Sequence, residues 1–109
     1  MIRINIKPMS VNDAWKGRRF KTKKYTDYSK TLLMILPKVS VPNTQLEINF
    51  IFGISSCSDI DNPLKLIIDI FQKKYKFDDK KIMKLIVQKN IVKKGQEYFM
   101  FDIKPYICE

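Results

Sequence analysis

The segment from Gln45 to Tyr75 constrains the fold more than any other. Between Gln45 and Ile54, Leu46, Ile48, Phe50 and Phe52 fall on one side of an extended chain, and Ile51 and Ile54 make the other side partly apolar. That period of two predicts a largely buried strand. The strand runs into Ser55-Ser56-Cys57-Ser58-Asp59, and a helix is predicted from about Asn62 to Tyr75. Asp61 is the natural N-cap, and Pro63 is tolerated in the first turn, where its missing N–H has no partner to lose. Leu64, Ile67, Ile68 and Phe71 form the expected buried side of this helix.

The flanking segments complete an α+β pattern. Ile2, Ile4 and Ile6 alternate with polar residues up to Pro8, which reads as a half-buried strand. Met9 to Trp15 reads as loop, and Arg18 to Lys24 as a short extended segment or an arm ordered by its ligand. Thr26 or Asp27 offers an N-cap for a helix to about Leu36, burying Tyr28, Leu32, Leu33, Ile35 and Leu36 and stopped by Pro37. Phe77-Asp78-Asp79 breaks the second helix. Ile82 to Val92 and Tyr98 to Ile103 then read as a terminal hairpin across Lys93-Lys94-Gly95-Gln96. The expected architecture is a two-layer sandwich, with a mixed sheet of four to five strands and two helices on one face. With 109 residues and no linker or repeat, residues 1–109 form a single domain.

Composition removes several function classes. The chain has no histidine, which excludes Ser-His-Asp and Cys-His catalysis, two-histidine zinc sites and an imidazole general base. Cys57 and Cys108 are far apart and form no disulfide framework, which fits a reducing compartment. No apolar run reaches the roughly 18 to 20 residues of a membrane span. The N-terminus lacks the apolar block of a signal peptide, so a cytoplasmic protein is expected.

Charge gives the functional direction. Lys and Arg outnumber Asp and Glu by 21 to 11, a formal net charge of +10. Six of the nine residues from 16 to 24 are basic: Lys16, Arg18, Arg19, Lys21, Lys23 and Lys24. Interleaved with Trp15, Phe20 and Tyr25, they read as a phosphate-contacting ribbon, because counterion release rewards grouped cations. Against this background, five of the eleven acids fall in one stretch: Asp59, Asp61, Asp69, Asp78 and Asp79. On the helix, residues four apart share a face, so Asp61, Lys65 and Asp69 line up. Asp79 can return to the same point if a strand follows. Carboxylates that converge repel one another unless a hard cation takes them, and Mg²⁺ prefers oxygen ligands. An EF-hand is excluded, because Leu64 and Ile70 stand where its loop needs Gly and Glu. Asp102-Ile103-Lys104 has the Asp-x-Lys form of restriction-type nucleases but is equally an alternating edge strand.

The pattern Asp59-x-Asp61-Asn62-x-x-Lys65, then Asp69, then Asp78-Asp79 before an apolar strand, resembles the RusA family of Holliday-junction resolvases. Pro8, Ser10-Val11-Asn12, Trp15, the basic run and Tyr25 are similar to that family's N-terminal part. The resemblance spans about Pro8 to Val92. It implies a homodimer that binds branched DNA, four-way junctions above all, and cuts symmetrically placed strands with Mg²⁺, Mn²⁺ being a possible substitute. It makes Asp59, Asp61 and Asp79 the metal ligands, with Asp78 as the alternative to Asp79, and Lys65 the essential cation.

Phosphodiester chemistry then suggests the remaining roles. Protonated Lys65 cannot bind metal, so it belongs beside the phosphate, stabilising the oxyanion or the leaving oxygen. Asp69 would orient Lys65 or a metal-bound water, and Asp78 would support Asp79. Lys89, Lys93 and Lys94 extend the basic run's grip on phosphates. The rival expectation is a non-catalytic basic nucleic-acid-binding module built from the same cations and aromatics.

Overall fold

The computed structural model describes residues 1–10, 15–16 and 20–108. The elements in order are β1 (Ile2–Ile4), β2 (Trp15–Lys16), β3 (Phe20–Lys21), α1 (Lys23–Ile35), β4 (Leu46–Ile54), α2 (Leu64–Tyr75), β5 (Ile82–Ile91) and β6 (Tyr98–Pro105). β1, β6, β4 and β5 make a mixed sheet in that spatial order, and β2 and β3 pair separately. The α+β sandwich with two helices is therefore as expected. No helix among the described residues is long and apolar enough to cross a membrane.

The strand order follows from burial. β4 is the most apolar strand and takes the centre, with Leu46, Ile48, Phe50 and Phe52 almost fully buried. A strand that leaves β4 through α2 and returns beside it must run parallel, and β5 does. β6 then runs antiparallel on the other flank of β4, pairing Phe101 with Phe50 and Phe99 with Phe52.

The expected β5–β6 hairpin is therefore corrected: the two strands lie on opposite sides of β4. Gly95 does adopt a positive φ of 92° between them. The turn chemistry was right, but pairing goes to the strand that buries more. Phe99 and Phe101 gain the aromatic layer of Phe50, Phe52 and Phe71 only by sitting beside β4.

Both helices pack on this one aromatic face, and both differ from expectation by a shift in register. α1 starts at Lys23, capped by Thr22, whose hydroxyl oxygen accepts from the Tyr25 N–H at 3.2 Å. This early cap moves Lys23 and Lys24 from the basic ribbon into a first turn and brings Tyr25 into the core. The buried side is Tyr25, Tyr28, Ser29 and Leu32, whereas Ile35 is exposed and Leu33 only half-buried. α2 buries Leu66, Ile67, Ile70 and Phe71. Phe71 touches the rings of Phe50, Tyr75, Phe99 and Phe101, so truncating it to Ala should cost about 3–5 kcal/mol. Leu64 and Ile68, expected inside, are half-buried and face the site described below. α2 ends with Lys76 in the left-handed region at φ 57°, which turns the chain toward Asp78.

Among the described residues, no helix covers the opposite face of the sheet. Glu47 is buried there, with Lys104 at 3.1 Å and Lys84 at 3.7 Å from its two oxygens and the Asn49 amide at 3.3 Å. One carboxylate of the central strand thus pins both neighbouring strands in register. Lys104 is committed to this cluster, which sets Asp102-Ile103-Lys104 apart from the acid site.

Candidate nuclease site

The acidic loop is shaped by two successive backbone turns. Asn62 N–H donates to the Asp59 carbonyl and Leu64 N–H to the Asp61 carbonyl, both at 3.1 Å. Pro63 occupies the N-cap position of α2 and supplies no side-chain cap. Asp61 as N-cap is thereby corrected: the turns deliver its backbone, and its carboxylate is left for other work. No hydrogen bond or ion pair engages that carboxylate among the described residues. The ion pairs formed among those residues belong to Glu47, so Asp69 is not held by Lys65 either.

Helical spacing then does what was expected of it. Asp61, Lys65 and Asp69 lie along one face of α2 and its leading turn, with Leu64 and Ile68 beside them. Together with Asp79 they line one open depression of about 340 Å³. Asp79 is carried there by the return of the chain from α2: the Gln72 side-chain oxygen accepts from the Asp79 N–H at 3.1 Å. Three carboxylates face a single ammonium group in a chain of net charge +10.

Asp78 and Asp79 divide their work. Asp78 caps the 3-10 turn Asp79–Lys81 by accepting from the Lys80 N–H at 3.0 Å. That bond, then the contact with Asp79, holds the Asp78 carboxyl below the usual aspartate range. Asp59 is exposed on the loop and does not line the depression. Among the described residues, no three Asp, Glu or Cys side chains lie close enough together to hold a metal ion as they stand. The expected set Asp59, Asp61 and Asp79 is thus not assembled, although Asp61 and Asp79 share the depression with Asp69.

The cations are placed unevenly. Arg18 and Arg19 lie outside the described residues, while the backbones of Lys16 and Lys21 belong to the paired strands β2 and β3. Lys23 and Lys24 are exposed on the first turn of α1. Lys89 differs from a free phosphate contact: it is half-buried, and its ammonium donates to the Ser58 carbonyl at 3.1 Å.

Two features escaped sequence reasoning. The first is a larger cavity of about 590 Å³ bordered by the same loop, with Ser56, Ser58, Asn62 and Pro63 on one side and Lys7, Met9 and Tyr28 on the other. Its lining comes from segments with no shared motif, so no local pattern announces it. The second is the exposed edge strand β5, which shows Met83, Leu85, Ile86 and Ile91 to solvent. Its alternation read as an ordinary strand, and only the sheet order reveals the open edge.

No protein-family model matches the chain, and no curated protein matches it.

Proposed function

We propose that this chain is a Mg²⁺-dependent endodeoxyribonuclease of the cytoplasm that cuts branched DNA, four-way junctions above all, in recombination and repair. One observation carries the reading: Asp61, Asp69 and Asp79 line one depression with Lys65, and none of the three is ion-paired among the described residues. Unneutralised acids destabilise a fold by mutual repulsion. Their presence together in a strongly basic chain fits a site for a hard cation that works on a polyanion.

The donor set is all carboxylate oxygen, which suits Mg²⁺, with Mn²⁺ able to substitute. Asp61 and Asp79 would hold the ion, and Asp59 would join them from the neighbouring loop. When bound, the ion supplies a water of lowered pKa and takes up charge from the scissile phosphate. Lys65, one turn from Asp61, is placed to stabilise the phosphorane oxygens or the leaving oxygen. Asp69, one turn further on, would orient Lys65 or a metal-bound water once the ion is bound. Lys16, Arg18, Arg19, Lys21, Lys23 and Lys24 supply sequence-blind contacts to phosphates. The apolar residues of edge strand β5 support a homodimer, since Met83, Leu85, Ile86 and Ile91 are unusual residues to leave in water on a strand whose outer edge has no partner among the described residues.

The test is cleavage of a four-way junction beside a linear duplex, with and without Mg²⁺, by the native chain and by Asp61→Asn. The proposal expects Mg²⁺-dependent cutting of the junction, abolished in the variant while junction binding persists. The second reading is a non-catalytic binding module, favoured by the lack of a preassembled three-acid set among the described residues. It expects junction binding that neither Mg²⁺ nor Asp61→Asn turns into or out of cleavage.

A further inference from the structure

The larger cavity has the chemistry of a nucleotide site. Its volume of about 590 Å³ lies within the range of pockets that enclose small organic ligands. Met9, Tyr28, Ile54 and Pro63 give it apolar walls. Tyr28 is held in place: its hydroxyl is hydrogen-bonded to the Met9 backbone, and the residue, only 8% exposed, lines the cavity. Such a wall suits the flat face of a base.

The polar groups are distributed around that apolar part. Ser56 and Ser58, whose hydroxyls are bonded to each other at 2.8 Å, and the amide of Asn62 keep donor and acceptor capacity of the kind base edges require. Lys7 and Lys24 also line the cavity and set its charge toward an anion. Among the described lining residues the one acid is Glu97, which accepts from the Ser55 hydroxyl at 2.7 Å and the Gly95 N–H at 2.7 Å. Glu97 keeps its negative charge under these neutral donors and Lys7 lies close enough to stabilise it, so Lys7 and Lys24 leave the described lining with a formal excess of one positive charge.

Its position relates it to the acids. Ser58 directly precedes Asp59, and Asn62 directly follows Asp61, so one loop presents polar groups to the cavity and Asp61 to the acid depression. We infer that this cavity receives one unstacked nucleotide of a DNA strand whose neighbouring phosphate lies at Asp61 and Lys65. The inference rests on the nuclease reading and deepens it: the substrate is recognised by a nucleotide that can leave the stack. Extruding a base from a continuous duplex costs a few kcal/mol, and much less where pairing is already interrupted. Selection for branched or frayed DNA over linear duplex follows without any reading of sequence.

The experiment uses the full chain in EDTA, with single-stranded octamers carrying one 5-iododeoxyuridine and the same octamers in duplex form. Fluorescence anisotropy gives affinity, and photocrosslinking followed by peptide mapping gives position. The expected result is crosslinking of the single strand at Met9 or Tyr28. Ser56→Phe, which fills the cavity from an exposed loop position, should weaken single-strand binding about tenfold or more. Lys7→Gln should weaken it less and lower its salt dependence by about one ion. Crosslinks confined to other surfaces, or native single-strand affinity in both Ser56→Phe and Lys7→Gln, would overturn the inference. Crosslinking at Met9 or Tyr28 by a protein that never cuts a junction sustains the nucleotide site and removes the nuclease reading. Junction cleavage without that crosslink does the reverse.

Discussion

The Lys89 ammonium donates a 3.1 Å hydrogen bond to the carbonyl oxygen of Ser58, fastening the open edge strand to the residue before Asp59. A half-buried lysine spent on a carbonyl is a strut for the loop. Lys89→Met keeps the alkyl stem and removes the strut, and should lower stability by about 1 kcal/mol in chemical denaturation. Under the proposed nuclease function, junction cleavage should fall about tenfold or more, because small displacements of reacting groups are costly, while junction affinity and its salt slope stay near native. A salt slope reduced together with affinity would instead place Lys89 on the phosphate backbone.

The carboxylates of the depression should be nearly silent in stability. Asp61 does not cap α2, and neither Asp61 nor Asp69 is ion-paired among the described residues. Thermal denaturation of Asp61→Asn and Asp69→Asn at neutral pH should show changes within about 0.5 kcal/mol, or a small gain as repulsion is relieved. A loss of about 1 kcal/mol in Asp61→Asn would restore the capping role that the turn geometry denies it.

These residues also show what a sequence can and cannot announce. The Asp61–Lys65–Asp69 face follows from helical spacing alone, and the return of Asp79 follows from a helix leading into a neighbouring strand. Asp59 sits in an aperiodic loop, and only the two turns of the backbone decide where it points. The start of α1 was hidden because Thr22 lies inside a basic run, where a cap looks like loop. The sequence suggests a β5–β6 hairpin because turn residues are local signals, whereas the competition for β4 is decided by aromatic contacts far apart in sequence. Glu47 carried no signal at all. An acid in an alternating strand reads as solvent-facing, and its lysines belong to strands whose register is not written locally.

Gly53 and Tyr98 provide a test of that register. A Cβ built on Gly53 would collide with the Tyr98 ring, which lies over it from the paired position on β6. The ring is held there by the Arg3 guanidinium, 3.9 Å from its centroid, and by the Asn90 amide, which donates to its hydroxyl at 3.0 Å. Gly53→Ala must push the ring off both partners, and should cost about 1–3 kcal/mol. Tyr98→Ala in the same background should recover part of that loss, measured as non-additivity in a double-mutant cycle. Strictly additive effects would mean that the ring does not rest on the glycine.

Glu47 should govern part of the acid sensitivity of the fold. Its hydrogen bond from Lys104, then the Asn49 amide and the charges of Lys104 and Lys84, hold its carboxyl below the usual glutamate range despite an opposing contribution from burial. A carboxylate depressed in the folded state contributes stability that is fully present above its unfolded pKa of about 4.3. That stability is lost as pH falls through the lower folded value, because the unfolded chain then binds the proton first. Glu47→Gln should therefore be less stable than the native chain at pH 7, and the difference should shrink as the pH falls from about 5 toward 2. Asp78 and Glu97 are depressed as well, each by its own hydrogen bonds, so the variant should retain a residual acid slope. Denaturation midpoints of the two proteins across this range make the comparison. Curves that run parallel throughout would show that Glu47 does not titrate with folding, and that Lys84 and Lys104 find equivalent partners without it.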